Sequence, residues 1–334
     1  MVAIGFHASH EQVHPTALLD AVQLAEQAGF TFGMSSDHFS PWSVRQGHSG
    51  FAWSWLGAAL ATTSLPFGVV NAPGQRYHPA VVAQAMATLS AMFPQRLWVA
   101  LGTGENSNEH ITGQEWPRKE LRTRRLGECV DVIRRLLAGE TVSHDGLVSV
   151  DRAVLWTRPD VPPALVGAAV SEATAAWTGT WADGFVTVNQ EPEVLRRLVA
   201  AYRDAGGVGT LRLQVHVSWA PTEDEALRLA HEQWRTNVFP PPVCWDLETP
   251  EHFDAVAEHV TPDAVRGTVL VSSDPQQHAA WLHELAGLGF DEIAVHHVGQ
   301  EQRGFVDTYG ERVLPQLDVT PPAPVAPQRT VVAP

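Results

Sequence analysis

Short apolar runs rich in β-branched residues alternate with longer segments of helical period along most of the chain. After the first run, Leu18, Val22 and Ala25 recur at spacings of three and four, and Gly29 follows as a helix stop. The runs predict eight strands, at 4–9, 31–37, 65–72, 97–105, 164–169, 184–189, 211–220 and 292–298. The segments of helical period predict helices at 15–28, 50–62, 79–91, 118–138, 171–181, 192–205, 222–236, 274–287 and 303–316.

Eight strand–helix repeats are the pattern of a (β/α)8 TIM barrel, in which helices cover a closed parallel sheet. An open, doubly wound sheet is the alternative. The 334 residues fit one barrel with insertions. We expect a single domain over 1–318, with insertions near 141–158 and 237–273. Residues 319–334 are Pro-rich and lack periodicity, which predicts a disordered tail.

The charge balance argues against partners that bind a basic surface. The formal net charge is −15 and the pI is about 5.4, whereas nucleic acids and anionic membranes need basic patches. Cys129 and Cys244 supply neither a disulfide framework nor a zinc-finger spacing, which favours a reducing compartment. No apolar run reaches about 18 residues, and no signal-peptide pattern is present. We therefore expect a soluble cytoplasmic protein that binds a small molecule, without nucleic acid or membrane partners.

Polar residues follow several predicted strands, at the end of a barrel where active sites lie. The stretch SSDHFSPW places Asp37, His38 and Trp42 directly after the second strand, while Glu11 follows the first and Glu105 the fourth. A histidine that titrates near neutrality can take a proton from an alcohol, and an adjacent indole can exclude water. His38, Glu105, Trp42 and Glu11 are therefore the predicted catalytic set. A lone acid–histidine pair is more often a capping acid beside a structural histidine, but the carboxylate of Glu105 after the fourth strand favours the catalytic interpretation.

Two turns rich in small residues offer places for a bound cofactor. In LGTGEN, Gly104 lets a flat ligand approach the backbone after the fourth strand. After the fifth strand, small residues lead from Gly167 to Ser171, the expected N-cap of the next helix. A helix amino end exposes N–H groups and a positive dipole, so a phosphate can be held there without lysine. Both turns are also typical of ordinary strand–helix connections.

Several motifs together resemble the luciferase-like flavin and deazaflavin oxidoreductases. They are SDHFSPW, GQRYHPAVVAQAMATL, LGTGENSNE and WADGF, and the resemblance covers about residues 2–317. The nearest resemblance is to the glucose-6-phosphate dehydrogenases that use coenzyme F420. It implies a barrel with the cofactor ring at the carboxyl end of the strands. It also implies a non-proline cis peptide beside that ring, here between Val69 and Val70.

The resemblance also implies residue roles. In the dehydrogenases, the histidine matching His38 takes the proton of the substrate hydroxyl while a hydride passes to the deazaflavin. The residues matching Trp42 and Glu105 assist, and Glu11 matches a pocket glutamate. The positions carried over as cofactor contacts are Asp37, His38, Val69, Val70, Gly104, Glu105, Asn108, Gly167, Ala168, Ala169 and Asn189.

One departure from that branch bears on the substrate. The dehydrogenases bind sugar phosphate with two lysines and an arginine, but the matching regions here, around Asn189 and over 254–268, contain no lysine. Lys119 is the only lysine of the chain, and Arg266 can replace one of the three cations. Because an unneutralised phosphate is costly to desolvate, we predict a small organic substrate other than a sugar phosphate.

A second departure leaves the cofactor open. Gly167-Ala168-Ala169 stands where the dehydrogenases have Ala-Gly-Gly, so the cofactor is coenzyme F420 or, alternatively, FMN. We expect an oxidoreductase that transfers a hydride between this cofactor and the substrate, with an FMN-dependent luciferase-like monooxygenase as the alternative.

Other classes of protein that the residues allow are a non-catalytic flavin-binding protein and a metal-dependent barrel hydrolase. Members of the family often pair, so we also expect a homodimer. The hydrolase would draw its ligands from His7, His10, His38, and His296 or His297.

Overall fold

Eight parallel strands close into a barrel in the computed structural model, which describes residues 1–323 and residue 325. The described residues form eleven strands: β1 (Ala3–Ala8), β2 (Phe32–Ser36), β3 (Phe67–Asn71), β4 (Leu97–Leu101), β5 (Val142–Asp145), β6 (Ser149–Ala153), β7 (Ala164–Ala168), β8 (Gly184–Val188), β9 (Thr210–Ser218), β10 (Leu270–Val271) and β11 (Glu292–His297). Strands β5 and β6 form a separate hairpin, and β10 adds a short edge to β9. The other eight run in the order β9-β11-β1-β2-β3-β4-β7-β8, and β8 pairs with β9 to close the sheet. The predicted (β/α)8 barrel is therefore confirmed.

Helices cover the outside of this sheet. The first one buries Leu18, Ala21, Val22 and Ala25 along one stripe and ends at Gly29, whose φ is 101°. Burial of each Leu or Val side chain stabilises the fold by about 1.5–3 kcal/mol. In the described part of the chain the α-helices are α1 (Pro15–Ala28), α2 (Ala52–Thr62), α3 (Pro79–Met92), α4 (Asn106–Glu109), α5 (Lys119–Ala138), α6 (Glu172–Gly179), α7 (Pro192–Asp204), α8 (Glu223–Trp234), α9 (Val243–Asp246), α10 (Pro250–Val256), α11 (Pro262–Val265), α12 (Pro275–Ala286) and α13 (Arg303–Thr308).

The last helix departs from the prediction of a continuous helix over 303–316. The chain leaves α-helical geometry after Thr308 and continues as a π-helical turn and a 3-10 turn to Gln316. Gly310 lies against α1, where a Cβ would be 2.8 Å from the Cβ of Ala28. Pro315 further on has no N–H to donate. Close packing and the proline thus coincide with the loss of regular α-helix.

Large side chains fill the amino-terminal half of the barrel. The indole of Trp98 occupies the space that a side chain at Gly68 would need. The guanidinium of Arg212 stacks on this indole, 4.4 Å from the ring centroid, and its Nε donates to Glu292 at 2.6 Å. Both members of this ion pair are buried. With the lower half filled, the open volume of the barrel lies at the carboxyl ends of the strands.

The insertions lie outside the alternation of strands and helices. The segment 141–158 contains the antiparallel hairpin of β5 and β6. The segment 237–273 contains the three short helices α9, α10 and α11, and then β10, which the sequence analysis did not predict. A two-residue strand carries no periodicity that a sequence pattern could reveal.

The carboxyl-terminal boundary needs a correction. The expectation of disorder from residue 319 does not hold for the first residues beyond it, because Val319 bridges Val2 and the N–H of Thr320 donates to the carbonyl of Val2 at 3.1 Å. Val325 is buried in the same apolar cluster as Ala3 and Trp98. Residues 324 and 326–334 of the predicted tail lie outside the described residues. Among the described helices, none has the length and apolar character needed to cross a membrane.

Candidate active site

A cavity of about 560 Å³ opens at the carboxyl end of the barrel. The 237–245 segment of the second insertion forms part of its wall, so this insertion covers one side of the barrel mouth. Each barrel strand contributes a residue within two positions of its carboxyl end: His7, Ser36, Val70, Gly102, Ala168, Val188, His216 and His296.

His38 lies in this wall between two carboxyl groups. Its Nδ1 is 2.7 Å from Oε1 of Glu11, and its Nε2 is 3.8 Å from Oε2 of Glu105. The other oxygen of Glu11 accepts from the hydroxyl of Ser9 at 2.7 Å. The ring of Trp42 meets the imidazole edge to face, with centroids 5.2 Å apart. The structure thus brings the four predicted catalytic residues together at one cavity.

The three titratable groups shift each other's pKa values. Burial alone would lower the pKa of His38, but the charge of Glu11 raises it, and the resulting pKa is about 8. Burial would raise the pKa of Glu11, but the charge of His38 lowers it to about 2. Burial raises the pKa of Glu105 to about 7, against the attraction of His38. At neutral pH the site therefore contains an imidazolium paired with the Glu11 carboxylate, beside a Glu105 that is partly protonated.

The loop that carries His38 is held by hydrogen bonds at the two residues that follow His38. Oδ1 of Asn108 accepts from the backbone N–H groups of Phe39 and Ser40, at 2.8 and 3.2 Å, and its Nδ2 donates to Glu105 at 3.3 Å. Asn108 lines the cavity, but Oδ1 is bonded to the loop and Nδ2 to Glu105. It is better described as holding the loop than as presenting a free group to a ligand.

The carboxylate of Asp37 is likewise paired with neighbouring side chains. Its carboxylate accepts from Asn71 at 2.8 Å and from the hydroxyl of Tyr77 at 3.1 Å. The guanidinium of Arg76 lies 3.6 Å from the same carboxylate and also donates to the backbone carbonyl of Asp37 at 2.6 Å. Arg76 additionally lies 3.7 Å from Glu109. Asp37 therefore fixes the start of the His38 loop.

Strand β3 requires a correction to the carried-over features. The Val69–Val70 peptide was expected to be cis, but among the described residues the cis peptide bond is Pro241–Pro242. Val69 is fully buried in the outer core against the helices, while Val70 lines the cavity. Alternation along a strand accounts for this difference, because neighbouring side chains point to opposite faces. Of the two valines, only Val70 presents its side chain to a ligand.

The turn after β7 also separates the residues predicted there. Ala168 and Ala169 line the cavity, as does Val170. A Cβ at Gly167 would point to the helix layer, into the space that Thr178 of α6 occupies. The carried-over role of Gly167 as a cofactor contact does not fit this orientation. The hydroxyl of Ser171 donates to Thr174 at 3.0 Å and makes no capping bond, which leaves the first N–H groups of α6 without a side-chain acceptor.

Two further predicted positions have specific local roles. Gly104 adopts a φ of 77°, and a Cβ there would be 3.1 Å from Cγ of Glu109 and 3.2 Å from Cβ of Ala72. This left-handed conformation favours glycine. Asn189 accepts from the backbone N–H of His216 at 3.0 Å and lies 2.9 Å from its Nδ1, while Nδ2 of Asn189 donates to the carbonyl of Thr268 at 3.2 Å.

A group of histidines lies at the base of the cavity; the sequence analysis considered His7 and His296 only as zinc ligands and missed His216. The rings of His7 and His296 stack at 4.4 Å, and His216 lies 5.2 Å from His296. Burial lowers the pKa of His7 to about 4 and that of His216 to about 3, so both are neutral at pH 7. Gln214 lies 3.2 Å from Nε2 of His216 and 3.3 Å from Nδ1 of His296. This part of the wall is thus polar but uncharged.

Two of the histidines weighed as zinc ligands, His10 and His297, lie outside the cavity wall. His297 packs on Phe305 outside the barrel, with ring centroids 4.6 Å apart, whereas His296 faces inward. His10 packs on Trp55 at 4.9 Å. Within the described part of the chain, no three side chains of the ligand types converge on a point that could hold a metal ion.

Lys119 is the second feature that the sequence analysis did not place. Its Nζ donates to the hydroxyl of Thr103 at 2.9 Å and lies over the ring of Trp245, 5.4 Å from the centroid. All three residues line the cavity. The signal in the sequence was that the chain has a single lysine; its position 16 residues after the strand-end threonine concealed the contact.

Comparison with known proteins agrees with this geometry. The model of the luciferase-like monooxygenase family matches residues 2–292. A protein of Microbacterium testaceum (strain StLB037), named F420-dependent glucose-6-phosphate dehydrogenase, is 35% identical over 327 residues, covering 94% of this chain and 96% of the relative. An equally named protein of Nakamurella multipartita is 34% identical over 329 residues, covering 95% and 96%.

Solved structures show the same fold. An F420-dependent secondary alcohol dehydrogenase, solved in complex with an F420-acetone adduct, superposes with a TM-score of 0.88 at 28% identity, over 95% of this chain and 100% of that chain. A coenzyme F420 dependent tetrahydromethanopterin reductase from Methanopyrus kandleri shares the fold, with a TM-score of 0.75 at 19% identity, over 94% and 99%. The chain therefore belongs to the luciferase-like family and is an oxidoreductase built on a (β/α)8 barrel.

Proposed function

We propose that this protein transfers a hydride between coenzyme F420 and the carbinol or carbonyl carbon of a small, uncharged organic substrate, with His38 as the general acid and base. The observation that carries the proposal is the position of His38 in the cavity wall, 2.7 Å from Glu11 on one side and 3.8 Å from Glu105 on the other. An imidazole held in this way can exchange a proton from Nε2 while Nδ1 stays paired with a carboxylate.

The cavity fits a phosphate-bearing cofactor with several polar groups. Thr187 Oγ1, Gln190 Nε2 and His7 Nδ1 are buried, lack hydrogen-bond partners and belong to residues that line the cavity. Buried polar groups are normally paired, so a ligand that pairs them is expected. Ala168, Ala169 and the uncapped start of α6 supply a small-residue turn and N–H donors for a phosphate.

Coenzyme F420, when bound, supplies the hydride acceptor or donor. In alcohol oxidation, the C–H bond of the carbinol breaks with its electron pair leaving as hydride, and the hydroxyl proton passes to Nε2 of His38. In carbonyl reduction the same proton returns from His38 to the oxygen. Glu11 stabilises the imidazolium in both directions, because its pKa keeps it charged above about pH 2. Trp42 shields the imidazole from water at the cavity wall.

The charges of the cavity support a substrate without phosphate. Arg76 is the most buried cation in the wall, but it is neutralised by Asp37 and Glu109. Arg266, weighed as a phosphate ligand, donates instead to Glu223 at 3.0 Å and is not part of the cavity wall. A phosphomonoester near His38 would face the carboxyl groups of the site, and Lys119, the other basic side chain of the wall, could neutralise only part of its charge.

The apolar part of the wall supports the same conclusion. Trp42, Phe239 and Trp245 contribute aromatic surface, and Pro240 and Pro241 extend it along the insertion. Such a surface favours the alkyl or aryl part of an alcohol or ketone over the hydroxyls of a sugar phosphate. We include in the proposal the predicted cytoplasmic location and the predicted homodimer.

Titration of the purified protein with coenzyme F420 and, separately, with FMN tests the cofactor. We expect submicromolar binding of F420, read from its visible absorbance and fluorescence, and binding of FMN at least about ten-fold weaker. Tight binding of FMN with no binding of F420 would refute the F420 assignment and favour the flavin-dependent alternative.

A pair of histidine variants tests the chemistry. His38→Asn removes the proton-exchanging group, so turnover of secondary alcohols should fall by about 100-fold or more while the dissociation constant of F420 changes little. His48→Asn is the matched control, because His48 contacts His14 and is not in the cavity wall. Equal activity of the two variants would refute the role of His38. Turnover of glucose 6-phosphate in preference to neutral alcohols would refute the substrate class.

A further inference from the structure

Lys119, the only lysine among 22 lysine and arginine residues, faces the cavity from the first position of α5. Its Nζ has three N–H donors, and the hydroxyl of Thr103 accepts from one of them at 2.9 Å. The ammonium group also lies over the indole of Trp245. Both partners are neutral, so neither balances its charge.

Ion pairs elsewhere in the protein make this arrangement unusual. Seventeen ion pairs within 4.0 Å join the described residues, from Arg45–Asp254 at the rim to the buried Arg212–Glu292, and none includes Lys119. The chain has 37 acidic residues and a net charge of −15, so a lysine with a purely structural role could readily be paired. Burial, together with the nearby charge of Arg122, lowers the pKa of Lys119 to about 8. Lys119 is thus a partly desolvated cation that has no ion-pair partner within 4.0 Å among the described residues.

We propose that Lys119 and Thr103 bind one anionic group, a phosphate or a carboxylate, of a ligand that occupies the cavity. The two side chains provide charged and hydroxyl donors side by side, which suits the oxygen atoms of either anion. Arg118, which precedes Lys119, is exposed and does not line the cavity. Of these two neighbouring cations, only Lys119 can therefore reach a ligand in the cavity. The proposal rests on the proposed function only in that a cofactor or substrate occupies this cavity.

The position of Thr103 favours the cofactor as the source of the anion. Strand β4, which leads to Thr103, pairs with β7, which leads to the Ala168–Ala169 turn. A Cβ at Gly102 would lie 3.9 Å from the Cβ of Ala168, so the two turns adjoin. An anionic side chain of F420 that reaches the start of α6 would therefore pass close to Lys119. A carboxylate of the substrate is the other source of the same chemistry.

Because the chain has one lysine, its amine can be observed alone. Reductive methylation with ¹³C-formaldehyde keeps the charge and labels Lys119 and the terminal amine of Met1, and Lys119→Gln identifies which signal is which. The pKa of the Lys119 signal is measured in the free protein, with inorganic phosphate, with F420, and with the deazaflavin riboside that lacks the phosphate and the acidic tail. We expect F420 to raise the pKa and shift the signal, and the riboside to leave both unchanged.

Binding measurements give the second readout. The dissociation constant of F420 should rise about 10- to 100-fold in Lys119→Gln, the range for loss of one charge-assisted hydrogen bond, and much less in Lys119→Arg. Arg118→Gln is the matched control, because it removes the same charge from the same helix start outside the cavity. The riboside should bind wild type and Lys119→Gln equally.

The outcomes separate the proposal from the proposed function. If F420 binds without disturbing Lys119 and the Michaelis constant of a 2-hydroxycarboxylate, but not of a neutral alcohol, rises in Lys119→Gln, the anion belongs to the substrate. If wild-type protein does not bind F420 but FMN or inorganic phosphate perturbs Lys119, the anion site stands and the F420 assignment fails. If F420 binds wild type, Lys119→Gln and Arg118→Gln alike, and no probe perturbs the lysine signal or its variant's kinetics, the anion site is refuted.

Discussion

Replacing Glu11 by glutamine should lower the pKa of His38 and move the pH dependence of catalysis with it. The structure pairs the two groups at 2.7 Å in a nearly closed environment, with the carboxyl side chain 3% exposed and the imidazole 17% exposed. Glutamine keeps the size of the side chain and removes its charge. Burial, which lowers the pKa of His38, is then opposed only by the more distant Glu105.

The magnitude follows from the balance of these effects. The rise from the ordinary value of 6.5 to about 8 is equivalent to a net preference for the imidazolium of about 2 kcal/mol. Coulomb's law with an effective dielectric constant of about 20 gives an attraction of about 6 kcal/mol at this distance, most of which offsets desolvation. Without Glu11 the net preference is lost, so we expect the pKa of His38 to fall to 6.5 or lower.

Two assays measure this change. The Cε1–H signal of His38, assigned by its loss in His38→Asn, reports the pKa by NMR without any substrate. In wild type, kcat/KM for alcohol oxidation should rise as the pH passes through about 8, because the base must be unprotonated, and kcat/KM for ketone reduction should fall there. Both limbs should move to lower pH in Glu11→Gln. Glu105→Gln is the control. Because the Glu105 carboxylate lies 3.8 Å from His38, its removal should shift the pKa of His38 less than the removal of Glu11 does. A His38 midpoint that stays near 8 in Glu11→Gln would refute the electrostatic account.

The stability of the protein should depend on pH through the same pair. His38 has a folded-state pKa above its ordinary value, so its contribution of about 2 kcal/mol is fully present below about pH 6.5 and is lost as the pH rises through 8. Urea unfolding between pH 6 and 9 should show this slope in the difference between wild type and Glu11→Gln, because Glu105 and Lys119 contribute their own pH dependence in both proteins. A parallel pH dependence in both proteins would assign the slope to other groups.

Three further substitutions test the supports of the site. Arg212→Met leaves Glu292 buried without its partner and should cost about 3–5 kcal/mol of unfolding free energy. The double variant with Arg212→Met and Glu292→Leu should recover most of this loss. An unchanged stability of the single variant would contradict the pairing. Gly104→Ala forces alanine to a φ of 77° and should cost about 1–3 kcal/mol by urea unfolding; unchanged stability would mean that the turn relaxes freely. Asn108→Ala releases two backbone N–H groups after His38, so their hydrogen exchange should accelerate and turnover should fall while F420 binding persists; unchanged exchange would show that other contacts hold the loop.

The fold could be predicted because the sequence patterns that specify each helix and strand lie within that element. The first helix was predicted at 15–28 and α1 spans the same residues, since a stripe of apolar positions ends at a glycine that adopts a positive φ. The fourth strand was predicted to reach residue 105, yet β4 ends at Leu101, and Gly104, with a positive φ, turns the chain that follows into the cavity wall. The pattern thus determined which elements exist, while the turn geometry determined where they end.

The site was predictable in its chemistry but not in its orientation. Strand ends identify His38 and Glu105 as neighbours of the barrel mouth, and the structure places them 3.8 Å apart. Whether a strand residue faces the cavity depends on the parity of the strand, which the sequence did not reveal for Val69 and Gly167. Lys119 was hidden for another reason: it begins a helix, and the loop that returns it to Thr103 has no periodicity.

The closed barrel explains how one imidazole can be both buried and reactive. A histidine surrounded by protein normally loses its charge, as His7 and His216 do at the base of the same cavity. His38 keeps its charge because Glu11 comes from the neighbouring strand end, inside the barrel mouth, and because its own loop is fixed by the N–H bonds to Asn108. The same rim therefore holds neutral imidazoles that can only donate or accept hydrogen bonds and one imidazole that can exchange a proton near neutral pH. This division follows from the placement of a single buried carboxylate, since histidines without such a partner stay uncharged.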